Sequence, residues 1–217
     1  MEKFIAVAGN IGVGKSTLVH LLCDRLGFMP VYEPVVENPY LADFYRDMHA
    51  WAFHSQLFFL TQRLRLHRQL LKQTGLFIQD RSVYEDAEIF ARNLYLQDAI
   101  SARDYQTYQS LYQVLVEFLP PPDLVIYLKA SVATLQQRIK SRDRSYERAI
   151  PEAYLARLNT LYEEWFTGFT LCPVLVVPAD DLDYVAKSYH LDLIAQKVQE
   201  KLTGKEEVQF TPKELHS

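Results

Sequence analysis

The segment Gly9–Ser16 constrains the fold of this chain more than any other part of its sequence. It fits the pattern G-x-x-x-x-G-K-[ST], and three of the chain's seven glycines lie in it. The apolar run Phe4–Ala8 before it predicts a strand buried on both faces. The leucines of Ser16–Leu26 after it recur at helical spacing. A strand, a glycine-rich turn and a helix in this order predict a loop that binds the phosphates of ATP or GTP.

The residue types of this loop suit that chemistry. Its glycines let consecutive backbone N–H groups turn towards phosphate oxygens beside the positive end of the helix dipole. We expect Lys15 to reach the β- and γ-phosphates and the Ser16 hydroxyl to bind Mg²⁺. The residues expected to bind ATP in this segment are Gly9, Asn10, Ile11, Gly12, Val13, Gly14, Lys15, Ser16 and Thr17.

The rest of the chain repeats the alternation of strand and helix. Strands are predicted at Phe4–Ala8, Met29–Tyr32, Leu76–Gln79, Leu124–Leu128 and Val174–Val177. Helices are predicted at Ser16–Leu26, Met48–Lys72, Tyr84–Leu96, Ala102–Phe118, Val132–Ser141, Pro151–Phe166 and Leu191–Leu202. This order predicts an α/β P-loop fold of three layers, in which helices flank a five-stranded parallel sheet. We expect residues 1–204 to form one domain and residues 205–217, which are polar, to form a flexible tail.

Charge and cysteine content exclude several classes of protein. The 217 residues carry 23 Lys and Arg against 27 Asp and Glu, a net charge of -4 that argues against a general nucleic-acid binder. Cys23 and Cys172 are too few for a disulfide framework and indicate a reducing compartment. No apolar run approaches the length that spans a bilayer. We therefore expect a cytoplasmic protein without a membrane partner.

Charged residues follow two of the predicted strands. Glu33-Pro34 comes after the second strand, and Asp80-Arg81 comes after the third. The carboxyl ends of parallel strands lie at the edge of the sheet that also holds the phosphate loop. A carboxylate there can accept a proton from an attacking hydroxyl or hold Mg²⁺, and an arginine can offset charge on a transferring phosphoryl group. Either pair alone is typical of a solvated loop, but together they favour a catalytic site.

Four segments together resemble the deoxyribonucleoside kinase family over residues 3–202. They are Gly9–Ser16, Glu33-Pro34-Val35, Asp80–Asp86 and Arg138-x-x-x-Arg142-x-Arg144. The similarity is nearest to the bacterial deoxyguanosine and deoxyadenosine kinases. It implies transfer of the γ-phosphoryl group of ATP to the 5′-hydroxyl of a deoxynucleoside in nucleotide salvage. It also implies that Glu33 is the base, that Asp80 helps to hold Mg²⁺, and that Arg81 lies near the 5′-oxygen.

Two residues of the predicted helix Met48–Lys72 are candidates for reading the nucleobase. Gln56 and Arg63 stand seven residues apart, on one helical face with Phe59 between them. From spacing alone, Arg63 fits equally well in a solvated set with Arg65 and Arg68. The resemblance favours the first interpretation, because the family reads its base with a Gln and an Arg at these positions.

The resemblance assigns further pocket residues. Asp86 is expected to pair with the base-reading arginine and Phe90 to stack on the base, although alone they suit a helix-capping aspartate and a core phenylalanine. Tyr45 is expected to bind the sugar 3′-hydroxyl, and Leu41 to line the pocket. An arginine paired with an aspartate suits purine edges. We therefore expect deoxyguanosine or deoxyadenosine as the best substrate, deoxycytidine next and thymidine as a poor one.

The segment 138–150 is predicted to form an arginine-rich lid. Arg138 and Arg142 are one helical turn apart, and Arg144 lies just past the predicted helix end. They suit either a flap that closes on a phosphate chain or a solvated helix end. The phosphate loop favours the flap, with Arg138 and Arg142 on ATP and all three arginines stabilising transferred charge. The resemblance adds that Glu147 bonds the 3′-hydroxyl.

Two other functions remain open from the sequence. One is a nucleoside monophosphate kinase resembling thymidylate kinase, but Tyr32 stands where those enzymes place an arginine before Glu-Pro. The other is an inactive nucleotide-binding regulator, which the intact Lys15, Glu33, Asp80 and Arg81 disfavour. No Asn-Lys-x-Asp element supports a GTPase. The family resemblance alone implies a homodimer through the helices before and after Asp80.

Overall fold

A computed structural model describes residues 3–32, 38–144, 147, 150–205 and 208–215 of the chain. Within them, five strands form one parallel sheet in the order β2-β3-β1-β4-β5. The strands are β1 (Lys3–Gly9), β2 (Met29–Val31), β3 (Leu76–Asp80), β4 (Leu124–Lys129) and β5 (Val174–Pro178). The predicted α/β fold with a five-stranded parallel sheet is confirmed.

Helices cover both faces of this sheet. They are α1 (Lys15–Leu26), α2 (Leu41–Arg46), α3 (Met48–Leu71), α4 (Val83–Glu85), α5 (Arg92–Leu96), α6 (Ala102–Val116), α7 (Val132–Arg142), α8 (Glu152–Gly168), α9 (Ser188–Leu202) and α10 (Pro212–Leu215). The sequence analysis did not predict α2. In the described residues no helix is both long and apolar enough to cross a membrane.

The position of β1 in the sheet explains where the site forms. Its residues Phe4–Ala8 are at most 1% exposed, as expected of a strand covered on both faces. The chain leaves β1 towards β2 on one side and reaches β4 on the other, so the strand order reverses at β1. Val7 lies opposite Asp80 of β3. The glycine-rich loop and Asp80 therefore emerge side by side in the crevice where ligands bind in such sheets.

The single helix predicted at Tyr84–Leu96 is interrupted. A π-helical turn, Asp86–Ala91, separates α4 from α5. The widened turn coincides with the side chain of Asp86, which is hydrogen-bonded to Arg63 of α3. A π turn adds one residue to the helical repeat, and the spacing of apolar residues does not reveal it. The prediction of one continuous α-helix was wrong for this segment.

Residues from Lys205 on were expected to form a flexible tail, and residues 208–215 contact the core. Val208 is 7% exposed and belongs to the main core, and Phe210 packs beneath the ammonium of Lys197 at 5.3 Å. Lys197 also forms an ion pair with Glu214 at 3.1 Å. The segment is polar on average, so its composition did not indicate that Val208 and Phe210 would pack on the rest of the protein. The domain boundary at residue 204 stays a prediction.

Candidate active site

The loop between β1 and α1 has a backbone that glycine alone tolerates at two positions. Gly9 has a φ of 146°, and a Cβ there would lie 2.7 Å from the Leu128 carbonyl oxygen. Gly12 has a φ of 81°, and a Cβ there would lie 2.6 Å from Cγ1 of Ile139. Both conformations disfavour residues with a Cβ, and both added atoms would collide. The loop therefore keeps the tight curvature that phosphate binding requires.

Lys15 is the first residue of α1 and is held inside the loop. Its side chain is buried, and its ammonium donates to the carbonyl oxygens of Gly9 at 2.8 Å and Asn10 at 3.0 Å. Lys15 also lines the main cavity of the protein. The ammonium is therefore beside the space where the loop would hold phosphates.

The side chain of Asn10 turns away from that space. Its amide nitrogen donates to the Leu155 carbonyl at 2.9 Å and to the Asn159 side chain at 2.8 Å, both on α8. Its own oxygen accepts from the Ile11 backbone at 2.7 Å. The side chain of Asn10 thus fastens the loop to α8, and the expected binding of ATP by Asn10 stays a prediction.

Ser16 and Asp80 form the pair predicted to hold Mg²⁺. The Ser16 hydroxyl donates to Oδ2 of Asp80, and both residues line the cavity. The other oxygen of Asp80 is buried and has no hydrogen-bond partner among the described residues. No described residues form a cluster of three or more His, Cys, Asp or Glu side chains. One carboxylate and one hydroxyl still suit Mg²⁺, which takes few protein ligands beside substrate phosphates.

Arg81 is directed into the cavity by an unusual backbone conformation. Its φ is 66°, in the left-handed region that few non-glycine residues adopt. The Arg81 amide donates to the Val7 carbonyl at 3.0 Å, which ties this turn to β1. The guanidinium lies 4.2 Å from the centre of the Phe90 ring, a cation–π contact. Arg81 and Phe90 thus share one wall of the cavity.

Arg63 and Asp86 form the ion pair that the resemblance implied. Their side chains are 1% and 3% exposed, and Nε of Arg63 donates to the carboxylate. Arg63 also donates to the carbonyl oxygens of Asp80 at 3.3 Å and Arg81 at 3.0 Å. Neither Arg63 nor Asp86 lines the cavity. The pair therefore lies behind the wall and supports the turn that carries Arg81.

The lid arginines divide into two groups. Arg138 donates to the carbonyl oxygens of Val13 at 2.6 Å and Ala179 at 2.8 Å, joining the phosphate loop to the end of β5. Arg142 donates to the buried carboxylate of Glu147, and Arg144 lies 3.5 Å from its other oxygen. The side chains of Arg138, Arg142, Arg144 and Glu147 all line the same cavity. The three arginines thus line the same cavity, but Arg138 is held by backbone carbonyls and the other two by Glu147.

The nucleoside end of the cavity is formed by α2 and α3. Gln56 is 5% exposed, and its side-chain oxygen is buried without a hydrogen-bond partner among the described residues. Leu41, Tyr45 and Phe59 line the wall around it. A buried, unpartnered amide oxygen is costly unless a ligand satisfies it. This end therefore offers an apolar slot with one polar contact.

The cavity measures about 1100 Å³ and collects most of the predicted residues. Those on its wall are Ile11, Gly12, Gly14, Lys15, Ser16, Thr17, Leu41, Tyr45, Gln56, Phe59, Asp80, Arg81, Phe90, Arg138, Arg142, Arg144 and Glu147. The predicted residues that do not line it are Gly9, Asn10, Val13, Arg63 and Asp86. Glu33, the predicted base, lies outside the described residues.

Two tyrosines of the wall were not assigned individually from the sequence. Tyr184, after β5, ends the segment Ala179–Tyr184, which is expected to lie near the adenine of ATP because it follows the last strand. Tyr184 and Tyr154 of α8 both line the cavity. The Tyr184 hydroxyl lies so close to the phosphate loop that a Cβ on Gly14 would meet it at 2.6 Å. Burial raises the pKa of Tyr184 to about 12, so its hydroxyl remains protonated. Its place just past a strand end was the available signal, since ligands bind there in such sheets.

Comparison with known proteins identifies the family. The family model described as deoxynucleoside kinase matches residues 5–203. The chain is 39% identical over 199 residues to the deoxyadenosine/deoxycytidine kinase of Bacillus subtilis (strain 168), covering 91% of this chain and 92% of that protein. It is 34% identical over 202 residues to the deoxyguanosine kinase of the same organism, covering 91% and 96%. These matches agree with the resemblance seen in the motifs and oppose the thymidylate kinase-like alternative.

Solved structures give the same result for the fold. The deoxyadenosine kinase from M. mycoides with bound dATP matches with a TM-score of 0.81 and 35% identity, covering 91% of this chain and 100% of that one. The same enzyme with bound dCTP matches with a TM-score of 0.79 and 36% identity, covering 91% and 99%. The similarity therefore extends over nearly the whole of both chains.

Proposed function

Since this chain belongs to the deoxynucleoside kinase family, we propose that it transfers the γ-phosphoryl group of ATP to the 5′-hydroxyl of a purine deoxynucleoside. Deoxyguanosine and deoxyadenosine are the proposed substrates, and deoxycytidine is a lesser one. The observation that carries the proposal is the single cavity of about 1100 Å³. It has a phosphate loop with Lys15 at one end and the Gln56 slot at the other.

The donor triphosphate occupies the end formed by the glycine-rich loop and α7. Lys15 turns its ammonium towards the β- and γ-phosphates, and backbone N–H groups of the loop bind their oxygens. Arg138, which already contacts the Val13 carbonyl, supports the loop from the lid side. When the donor binds, Arg142 and Arg144 exchange their contact with Glu147 for the phosphate chain.

Ser16 and Asp80 are the proposed Mg²⁺ ligands, since both offer oxygen atoms and Asp80 keeps one of them without a partner among the described residues. The cation, when bound, neutralises charge that develops on the β- and γ-phosphates. Ser16 follows Lys15 directly in α1, so the proposed ligand and the phosphate-binding ammonium share one helical turn.

The acceptor occupies the end formed by α2, α3 and Phe90. Phe90 stacks on the base, Gln56 bonds its polar edge, and Tyr45 with Glu147 binds the 3′-hydroxyl. Glu33 removes the proton from the 5′-hydroxyl, and Arg81 stabilises charge near the attacking oxygen. Arg63 and Asp86 act from behind the wall by fixing Arg81 and the π-helical turn.

The purine preference rests on the relatives and on the amide of Gln56 at the acceptor end. An amide group such as that of Gln56 can bond the amino and ring-nitrogen edge of adenine. The two Bacillus subtilis relatives are a deoxyadenosine/deoxycytidine kinase and a deoxyguanosine kinase. The substrates in both names are deoxynucleosides other than thymidine.

Phosphate transfer from Mg-ATP to a panel of four deoxynucleosides tests this function. The expected order of kcat/KM is deoxyguanosine or deoxyadenosine, then deoxycytidine, then thymidine. The Gln56→Leu variant should lower kcat/KM for the best nucleoside by about 10- to 100-fold and leave the KM for ATP unchanged. Gln62→Leu, on the same helix but away from the cavity, is its control. Thymidine as the best substrate, or equal effects of both variants, contradicts the proposal.

The proposed assembly is a cytoplasmic homodimer. The family resemblance implies contact through the helices before and after Asp80, which here are α3 and the α4–α5 segment. Leu71 of α3 and Leu96 of α5 are 36% and 51% exposed in the single chain. Sedimentation velocity at several protein concentrations tests this state, and a monomer at all of them contradicts it.

A further inference from the structure

We propose that Tyr162 and Glu85 are positioning residues of the phosphate loop: the Tyr162 hydroxyl and the Glu85 carboxylate fix the peptide of Gly9, whose carbonyl holds Lys15. Neither residue lines the cavity. They act through the loop and not on the substrates. The inference rests on the proposed role of Lys15.

Tyr162 brings a hydroxyl from α8 to the first residue of the loop. Its side chain is 0% exposed, and its hydroxyl lies 2.8 Å from the Gly9 carbonyl oxygen and 2.8 Å from Oε1 of Glu85. Both atoms are acceptors, and the hydroxyl donates its single proton to one of them at a time. Burial, with the Glu85 charge adding, raises the pKa of the Tyr162 phenol well above its usual value. The group therefore stays protonated and remains a donor.

Glu85 joins the phosphate loop to the turn that carries Arg81. Its Oε2 accepts from the Ser82 backbone at 2.9 Å, in the capping box that starts α4. Its Oε1 accepts from the Gly9 backbone N–H at 3.1 Å. Capping alone needs only the first of these contacts. The second fixes the spacing between the loop and the Asp80-Arg81 turn.

Gly9 is the point where these contacts reach Lys15. Its N–H donates to Glu85, and its carbonyl accepts from the Lys15 ammonium at 2.8 Å as well as from Tyr162. A buried carbonyl that loses its donor carries a desolvation penalty. When the Lys15 ammonium turns towards phosphate, the Tyr162 hydroxyl keeps this carbonyl hydrogen-bonded. The loop then holds its shape while its lysine changes partner.

The chain offers a matched control for Tyr162. Tyr127 stacks on it with ring centres 5.6 Å apart, and its hydroxyl also donates to a carboxylate, Glu163, at 2.9 Å. Tyr127 is likewise buried, but its hydroxyl bonds Glu163 of α8 and not the carbonyl of Gly9. Tyr127→Phe and Tyr162→Phe therefore remove the same group from the same aromatic stack, and only the second removes a bond to Gly9.

Steady-state kinetics of the full-length protein with Mg-ATP and its best deoxynucleoside tests the proposal. Tyr162→Phe should lower kcat by about tenfold or more, because a small displacement of a catalytic group is costly. The KM for the nucleoside should stay within about twofold, since the acceptor end is untouched. Tyr127→Phe should leave both constants within about twofold. Folded protein is verified for each variant by circular dichroism and thermal melting.

Glu85→Gln is the second variant, and it keeps the volume while replacing one acceptor oxygen with a donor. It should also lower kcat. In the double variant with Tyr162→Phe, the fold-loss of kcat should be smaller than the product of the two single fold-losses, because both residues act through Gly9. If Tyr162→Phe does not fold, Glu85→Gln decides the question by the same split between kcat and KM.

Three outcomes overturn the proposal. They are a kcat for Tyr162→Phe within twofold of that of the unaltered protein, an equal loss of kcat in Tyr127→Phe, and a loss of kcat explained entirely by a smaller folded fraction.

The Lys15→Ala variant separates this inference from the proposed function. If Lys15→Ala is active, the proposed role of Lys15 in phosphate transfer is contradicted. An inactive Lys15→Ala beside a fully active Tyr162→Phe removes only the positioning role.

Discussion

At the scale of single residues, the site depends on a few polar groups held at the ends of strands. Ser16 and Asp80 come from different elements, and their hydrogen bond brings a hydroxyl and a carboxylate into the cavity. The second oxygen of Asp80 is buried without a partner among the described residues, which is unfavourable unless a ligand binds there. At the wall of the cavity, such an atom is a candidate ligand for a cation.

The first prediction concerns this carboxylate. Asp80→Asn keeps the shape and removes the charge, so we expect kcat to fall by about 100-fold or more at low magnesium. Part of the loss should be recovered as the magnesium concentration rises, because a weaker site fills at higher concentration. Activity measured against magnesium concentration checks this. Asp24→Asn, on the exposed face of α1, is the control. An unchanged magnesium dependence would show that Asp80 is not a ligand.

Some positions at the cavity followed from the sequence and others did not. Lys15, Ser16 and Asp80 were expected to lie together because a local motif and the ends of buried strands fix where such side chains must lie, and all three line the cavity. Tyr162 gave no signal, since a tyrosine in α8 has the spacing of an ordinary core aromatic. Its contact with Gly9 joins residues far apart in the sequence, and only the packing of α8 against the sheet creates it.

At the scale of elements, the packing of α7 on the phosphate loop sets how closely the lid helix approaches. Gly12 is the residue between them, and an added Cβ would also lie 3.0 Å from the Leu135 carbonyl of α7. A backbone oxygen cannot move away as a flexible side chain can. The loop and the lid helix therefore fit together only while residue 12 has no side chain.

The second prediction uses two glycines with similar conformations. Gly12→Ala and Gly27→Ala both place a Cβ at positive φ, 81° and 73°, but nothing lies within 4 Å of the new atom at Gly27. Both should lose about 1–2 kcal/mol of unfolding free energy from backbone strain. Gly12→Ala should in addition raise the KM for ATP by about tenfold or more, because the loop or α7 must shift. Equal kinetics in the two variants would contradict this account.

The interrupted helix after β3 shows why the secondary-structure elements were predicted less completely than the motif residues. The apolar spacing of Tyr84–Leu96 was read as one α-helix, and it gave the right segment. The π-helical turn Asp86–Ala91 begins at a residue that bonds Arg63, which comes from a distant helix. Local periodicity carries no information about such a partner.

At the scale of the whole molecule, the segment 208–215 closes the far side of the core against α9. Val208 is 7% exposed within the main core, and Leu215 packs at its margin. The composition of residues 205–217 suggested a solvated tail because charged and polar residues outnumber the apolar ones. Whether such a segment packs on the core depends on the burial of a few apolar side chains. The average composition of the segment does not reveal these residues.

The third prediction follows from this docking. Val208→Ala should lower the free energy of unfolding by about 1–3 kcal/mol through lost burial and an added cavity. Gln209→Ala, at the neighbouring exposed position, should change it by less than about 0.5 kcal/mol. Urea unfolding of both variants measures the difference, and kcat should stay unchanged because neither residue lines the cavity. If Val208→Ala matches Gln209→Ala in stability, the segment does not hold the core in solution, and the expected boundary at residue 204 gains support.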